Sequence, residues 1–299
     1  MAIQTATTGN LDDAQNIIIA ASRYTQEHNM PCVNLVEHFT LPQGAKQMTI
    51  PKVGQMTANA LVDGVDLVDS AAIGMTTVDL TTSEVGLKVI LTDKLLRQEN
   101  EDVFKMIGRQ MGDAQSRKKD RDVIALFTGL NGGTTLGVDN AELTIHMATG
   151  CIAFATANKF PVPVYVVHHP NALANLSKNT MAIGAGAGVT QVSYYTGILQ
   201  GLSEELLRNF WGLKINGVNF FHDGNIDKDG SNDSGYGAIF SKNAMCVIDS
   251  LASTTERERD ASLRAWEVVV VSDYGAFEID DTYGAPMLYE IGDLSTTTT

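Results

Sequence analysis

The spacing of hydrophobic residues changes period several times along the chain. Residues 11–28, LDDAQNIIIAASRYTQEH, read as a helix, with Asp12 and Asp13 in the first turn where the helix dipole favours anions. Its apolar stripe, Ile17, Ile18 and Ala21, is short, and a second apolar stretch from Val33 to Phe39 follows Pro31. Neither closes a core, so this part is expected to be an arm lying on another surface. From Lys46 to Asp93 the period becomes two. Met48, Ile50 and Val53 mark one extended run; Val78, Leu80, Leu87, Val89 and Leu91 mark a second. The small-residue stretch DGVDLVDSAAIG lies between them, which predicts a long hairpin with ends near Met48 and Leu91 and an open tip. Rich in Thr and Ala, such a hairpin is marginal alone in water and requires a neighbour.

Residues 100–128 carry the strongest helical signal. Val103, Ile107, Met111 and Ala114 recur at spacings of four and three, Ile124 and Phe127 resume the stripe, Asn100 is the expected N-cap, and Gly129 the stop. At 1.5 Å per residue the helix is on the order of 40 Å long, and the polar run from Arg117 to Asp122 keeps it from full burial. A further helix is expected over 140–158, a buried strand over 162–170, a short helix over 171–179 and another over 202–210. A strand pair over 212–221 and a strand over 244–249 follow. Residues 264–291 then give two strands joined by a turn, ahead of a Thr-rich tail. No internal repeat is present.

Composition narrows the class. With 299 residues, 44% hydrophobic and 19% charged, the chain can bury a sizeable core and is not of the disordered type. Its 21 basic against 35 acidic residues give a net charge of −14, which excludes a free-standing nucleic-acid binder that works through phosphate contacts. Cys32, Cys151 and Cys246 are far apart with no CxxC, which points to reduced, idle thiols. The polar N-terminus has no secretory pattern, and no apolar run approaches the ~20 residues of a membrane helix. A soluble protein made in the cytosol is expected.

The chemistry-bearing motifs are incomplete. Asn225, Asp227, Asp229, Gly230 and Asp233 stand at calcium-loop offsets, but Asn225 occupies the place of the first Asp and Tyr236 that of the bidentate Glu. Such a cluster is more often a solvated turn. Gly184, Gly186 and Gly188 lack the last glycine of a dinucleotide fingerprint, Val189 standing there. His168 and His169 end a strand with no acidic or thiol neighbour and are expected to be loop histidines. Arg117, Lys118, Lys119 and Arg121, interleaved with Asp120 and Asp122, predict a salt-bridged helix face. No catalytic residue, cofactor or firm metal site is expected.

The order of these pieces resembles the tailed-bacteriophage major capsid protein fold, which encapsulins share. LPQGAKQMTIPKVG (41–54) looks like the start of that family's extended loop, and residues 82–132 look like its descending strand and spine helix. GLKINGVNFFHDG, AIFSKNAMCVID and VVVVSDYGAFEIDDTYGAPM resemble the apical lobe and closing strands. The resemblance implies an α+β fold in four parts: an N-terminal arm (1–44), an extended hairpin loop (45–91), a peripheral domain with the spine (92–150 and 262–299) and an axial domain (151–261). It implies a structural shell protein forming pentamers and hexamers of an icosahedral phage head around double-stranded DNA, with an encapsulin shell as the alternative and an α/β enzyme as a distant third.

Its implied partners are further copies of itself, a separate scaffolding protein (the chain starts directly with the arm), a portal and possible decoration proteins. No membrane is implied, and its place is the virion, assembled in the host cytoplasm. Residues 11–41 would lace across one neighbour and the loop from Lys46 to Ile90 over another. Lys46, Lys52, Lys88, Arg109, Arg117, Lys118 and Arg121 are the expected inter-subunit contacts. Nine of the 21 basic residues fall between Lys88 and Arg121, so this region is locally cationic and is expected to meet acidic neighbours. The acidic whole would let DNA slide past it.

Overall fold

The computed structural model describes residues 30–54, 56, 58, 60, 73–98, 101–182, 213–229 and 233–292. The expected helices at 11–28 and 202–210, the hairpin tip, Asn100, the glycine run at 184–188 and the Thr-rich tail lie outside these residues.

Two sheets and a separate ribbon organise the described residues. The strands β1 (Glu37–Thr40), β10 (Met245–Asp260), β11 (Ala265–Glu278) and β4 (Ser83–Thr92) form a four-stranded sheet in the order β1-β10-β11-β4. β10, β11 and β4 run antiparallel, while β1 joins parallel to the first residues of β10. The six-stranded sheet has the order β5-β12-β9-β6-β8-β7, built from β5 (Leu136–Gly137), β6 (Val164–His168), β7 (Leu213–Ile215), β8 (Val218–His222), β9 (Ser234–Ser241) and β12 (Gly284–Glu290). The ribbon is β2 (Gln47–Val53) paired antiparallel with β3 (Met75–Thr81).

Among the described residues the α-helices are α1 (Asp93–Gln98), α2 (Glu101–Ala125), α3 (Ile145–Ala157) and α4 (Pro170–Ala182). α3 starts later than its sequence pattern suggests, because the Thr144 hydroxyl accepts from the Met147 N–H and fixes the N-terminus there. α2 stops at Ala125 and tightens into 3-10 turns at Leu126–Thr128 and Leu130–Gly133, where Asn131 adopts φ 53°. These turns carry Phe127 and Leu130, both fully buried, into the core, where the Phe127 ring meets that of Phe240 on β9 at 5.7 Å. The main core joins the end of α2, α3, α4 and the six-stranded sheet.

Several boundaries differ from the sequence pattern. The second period-two run is cut at Thr82: β3 closes the hairpin on β2, but β4 leaves it to pair with β11, Lys88 facing Val269. The apolar residues pass from even positions (Val78, Leu80) to odd ones (Leu87, Val89, Leu91) across the cut, a phase change that marks the break but does not name the new partner. The expected strand at 244–249 continues to Asp260, forming one long ribbon with β11. The 261/262 division therefore falls in the turn of that ribbon, where the Asp260 carboxylate accepts from the backbone N–H groups of Ser262 and Leu263. β11 and β12 are separate strands as expected, yet they belong to different sheets.

The arm also differs. Cys32, Val33 and Val36 are buried in this chain's own core, so residues 30–41 pack on their own body rather than awaiting another subunit. His168 is not a loop histidine. It is fully buried at the end of β6 with its ring 5.9 Å from that of Tyr289, and burial drives its pKa down to about 3, keeping it neutral.

Candidate functional site

The β2–β3 hairpin rests on the body at its root. Leu80, fully buried, joins Leu41, Cys246 and Ile248 in a small cluster apart from the main core, with Met48, Ile50 and Val78 half-buried around it. Gly275 on β11 lets the strands come this close, since a Cβ there would collide with the Thr81 carbonyl oxygen. Further out, Lys52 Nζ lies 2.6 Å from Asp280 Oδ1. Burial raises the Asp280 pKa, but hydrogen bonds from Lys52 and Thr282 outweigh it and hold the carboxyl below its ordinary value.

Beyond this anchor the ribbon projects apolar side chains. Val53 is 56% exposed, Met56 50%, Ile73 64% and Met75 60%. A two-stranded ribbon ending in four large exposed apolar residues is a surface built for a partner.

A second arrangement is buried. Asp120 on α2 is fully buried, and its Oδ1 accepts from the backbone N–H groups of Cys32 (3.0 Å) and Val33 (3.3 Å). Its Oδ2 accepts from Asn225 Nδ2 at 2.9 Å. Asp223, just after β8, accepts from the Cys32 thiol (3.0 Å) and the Asn225 backbone N–H (2.8 Å). Burial, then the hydrogen bond and charge of Asp223, pushes the Asp120 pKa up to about 8. Burial and the two carboxylates push the Cys32 thiol well up. The donor atoms of Cys32, Asp120 and Asp223 lie within 4.8 Å of one another. The thiol keeps its proton and donates a hydrogen bond to Asp223, so it offers no thiolate, and the raised Asp120 carboxyl favours its protonated form.

Asp120 is therefore no part of the expected salt-bridged face, although Lys118–Asp122, Lys119–Asp249 (2.5 Å) and Arg121–Asp227 (2.7 Å) are. Its signal was its register with Val123 and Phe127 on the buried stripe. The calcium-offset residues do not converge. Asn225 faces Asp120, Asp227 pairs with Arg121, Asp233 pairs with Lys228 at 2.7 Å, and the Asp229 N–H bonds the Ser234 carbonyl. Among the expected contact residues, Lys52, Lys88, Lys118 and Arg121 hold carboxylates of their own chain. Lys46 is exposed at the start of the ribbon. Arg109 and Arg117 lie on α2 and also make interactions.

A cavity of about 430 Å³ between α2 and the β10–β11 ribbon is lined by Lys119, Asp249, Ser253, Gln115 and Tyr274. Lys119 bonds Asp249 and sits over the Tyr274 ring, and Ser253 bonds Gln115. These polar groups bind one another rather than facing a common point.

Comparison with known proteins gives one consistent answer. The family model described as "Phage capsid protein" matches residues 75–285, well over half of the chain. No curated protein matches. Among solved structures, that of Mycobacterium phage Che8 has TM-score 0.64 at 16% identity, covering 90% of this chain and 93% of the other. The cyanophage Pam1 capsid asymmetric unit has TM-score 0.66 at 12% identity, covering 98% and 100%. The holo-SrpI encapsulin complex from Synechococcus elongatus has TM-score 0.61 at 11% identity, covering 100% of both. These identities speak for the fold; the family match carries the assignment. The chain belongs to the phage capsid protein family.

Proposed function

We propose that this chain is the major shell subunit of a phage head, arranged as pentamers and hexamers of an icosahedral capsid that encloses double-stranded DNA. The observation that carries the reading is the projecting ribbon, anchored by Leu80 and Lys52 and ending in exposed Val53, Met56, Ile73 and Met75. Since each is already about half covered, burying the rest of those four in a neighbouring subunit favours association by about 1–2 kcal/mol each. A closed shell repeats the contact many times, so modest individual terms suffice.

Residues 1–44 serve as the arm and 45–82 as the extended loop; β4 goes with the spine and the β10–β11 ribbon in the peripheral part. The six-stranded sheet with α3 and α4 forms the axial part, taking β5 and β12 from the flanking sequence. Lys46, exposed at the start of the ribbon, is the cationic contact offered to an acidic neighbour. A separate scaffolding protein, a portal and decoration proteins are the further partners, and assembly takes place in the host cytoplasm. The chain does its work by assembly rather than catalysis. Electron microscopy of the purified chain should show closed shells; a strict monomer under every assembly condition overturns the proposal. The full-length match to an encapsulin keeps a protein-filled shell as the second reading, and DNA content of particles isolated from infected cells separates the two.

A further inference from the structure

We infer that Asp120, Asp223 and Cys32 form a proton-operated latch that holds residues 30–36 on the spine and weakens as the proton is lost. The geometry joins three separate parts of the chain: the root of the arm (Cys32, Val33), the inner face of α2 (Asp120) and the turn after β8 (Asp223, Asn225). Both carboxylates are fully buried. The groups facing them are the Cys32 thiol and the Cys32 and Val33 N–H groups from the arm, and the Asn225 amide from the turn. Among the described residues no lysine or arginine pairs with either; on α2 itself the neighbouring Lys119 and Arg121 are committed to Asp249 and Asp227. Two buried carboxylates whose oxygens lie within 4.8 Å, with no cation between them, repel when both are ionised, so the closed cluster favours a proton on Asp120.

The arm root is the part that yields. The turn after β8 is held through backbone, the Asp223 N–H donating to the His168 carbonyl at 3.0 Å. Within residues 30–36 the Leu35 N–H donates to the Cys32 carbonyl and the Asn34 amide to the Met30 carbonyl. The segment is tied to the body by two N–H groups on Asp120, by the Cys32 thiol on Asp223 and by the burial of Cys32, Val33 and Val36, while the His38 ring on β1 bonds the Val33 carbonyl at 2.9 Å.

The direction follows from linkage. The closed cluster holds its proton up to about pH 8, whereas an opened Asp120 titrates near the ordinary carboxylate value. The opening equilibrium therefore grows about tenfold per pH unit between roughly pH 4 and 8, then levels off. The latch is strongest in acid and weakest above pH 8.

Hydrogen exchange of the full chain between pH 5 and 9, corrected for the intrinsic pH dependence of exchange, tests this. Protection of the peptide covering 30–36 is expected to fall about tenfold per unit up to pH 8 and then flatten, while a core peptide over 245–248 keeps its protection. Asp223→Asn removes the charge of Asp223 while Asp120 stays buried, so the slope is expected to level off at a lower pH than in the native chain. Overturning results are a pH-independent 30–36 peptide, an equal fall in the core peptide, a slope that levels off at the same pH in a folded Asp223→Asn chain, or protection that changes on adding zinc or a chelator, which would put a cation in place of the proton. If that variant does not fold, the native chain's two peptides decide alone.

Discussion

Leu80→Ala is the perturbation that separates hairpin docking from folding. Leu80 is fully buried, but it belongs to the small cluster with Leu41, Cys246 and Ile248 rather than to the main core. Truncation of a buried leucine costs about 2–5 kcal/mol, depending on how far the site collapses. The half-buried Met48, Ile50 and Val78 around it are able to relax inward, so the lower part of that range, ~3 kcal/mol, is the working figure. Since 1.4 kcal/mol is a factor of ten, the undocked ribbon becomes roughly 100-fold more populated.

Trypsin reads this directly, because Lys46 and Lys52 flank and occupy β2, and Lys52 is held by Asp280 only while the ribbon is docked. When opening and reclosing are fast relative to cleavage, the rate follows the open population. Cleavage after Lys52 in the unassembled chain should rise roughly 100-fold, the tryptophan fluorescence transition in denaturant should move little, and shell yield should collapse. Unchanged cleavage, or a large loss of global stability with no selective cleavage, refutes the idea that Leu80 seats the ribbon.

Other substitutions and conditions have defined outcomes. Gly275→Ala places a Cβ against the Thr81 carbonyl oxygen and should also unseat the ribbon, at about 1–3 kcal/mol, measured by the same protease assay. Phe127→Ala removes a fully buried ring paired with Phe240 and should cost about 3–5 kcal/mol in denaturant unfolding. The Asp280 carboxyl is held below its ordinary value, so its contribution to docking is present above that value; cleavage of the ribbon by an acid-active protease should increase as pH falls below about 4. Moderate salt should lower the extent of assembly seen by light scattering, since exposed ion pairs between subunits are screened; assembly indifferent to salt counts against cationic contacts from the spine.

Elements whose partners lie nearby in sequence were legible. The spine helix, the strand pair β7–β8 and the buried strand β6 follow from periodicity and turn residues, since i,i+4 stripes and alternation are local. Partner identity is not local. The shift of phase between Val78, Leu80 and Leu87, Val89 marks a break, but it does not tell that the first two pair within the ribbon while the last two, on β4, pair with β11. The buried junction was hidden for the same reason. Asp120 stands among Arg117, Lys118, Lys119, Arg121 and Asp122, where composition says solvated, and only its register with Val123 and Phe127 says inward. Cys32 and Asp223, 191 residues apart, meet only through the fold.

The long ribbon of β10 and β11 has one further consequence. β1 covers the outer edge of β10 only as far as Asp249, and the remainder to Asp260 faces no strand among the described residues. Two copies joining there about a two-fold axis perpendicular to the sheet must keep like faces together. Opposed residue numbers then share parity, and the run Glu256-Arg257-Glu258-Arg259 sets Glu against Glu or Arg against Arg. Like charges directly opposed destabilise a pairing, and charged edges are how sheets avoid fusing. A protein that must meet many copies of itself carries here a strand that rejects its own rotated copy, so that edge-to-edge fusion of two subunits through this strand is disfavoured by register as well as by charge.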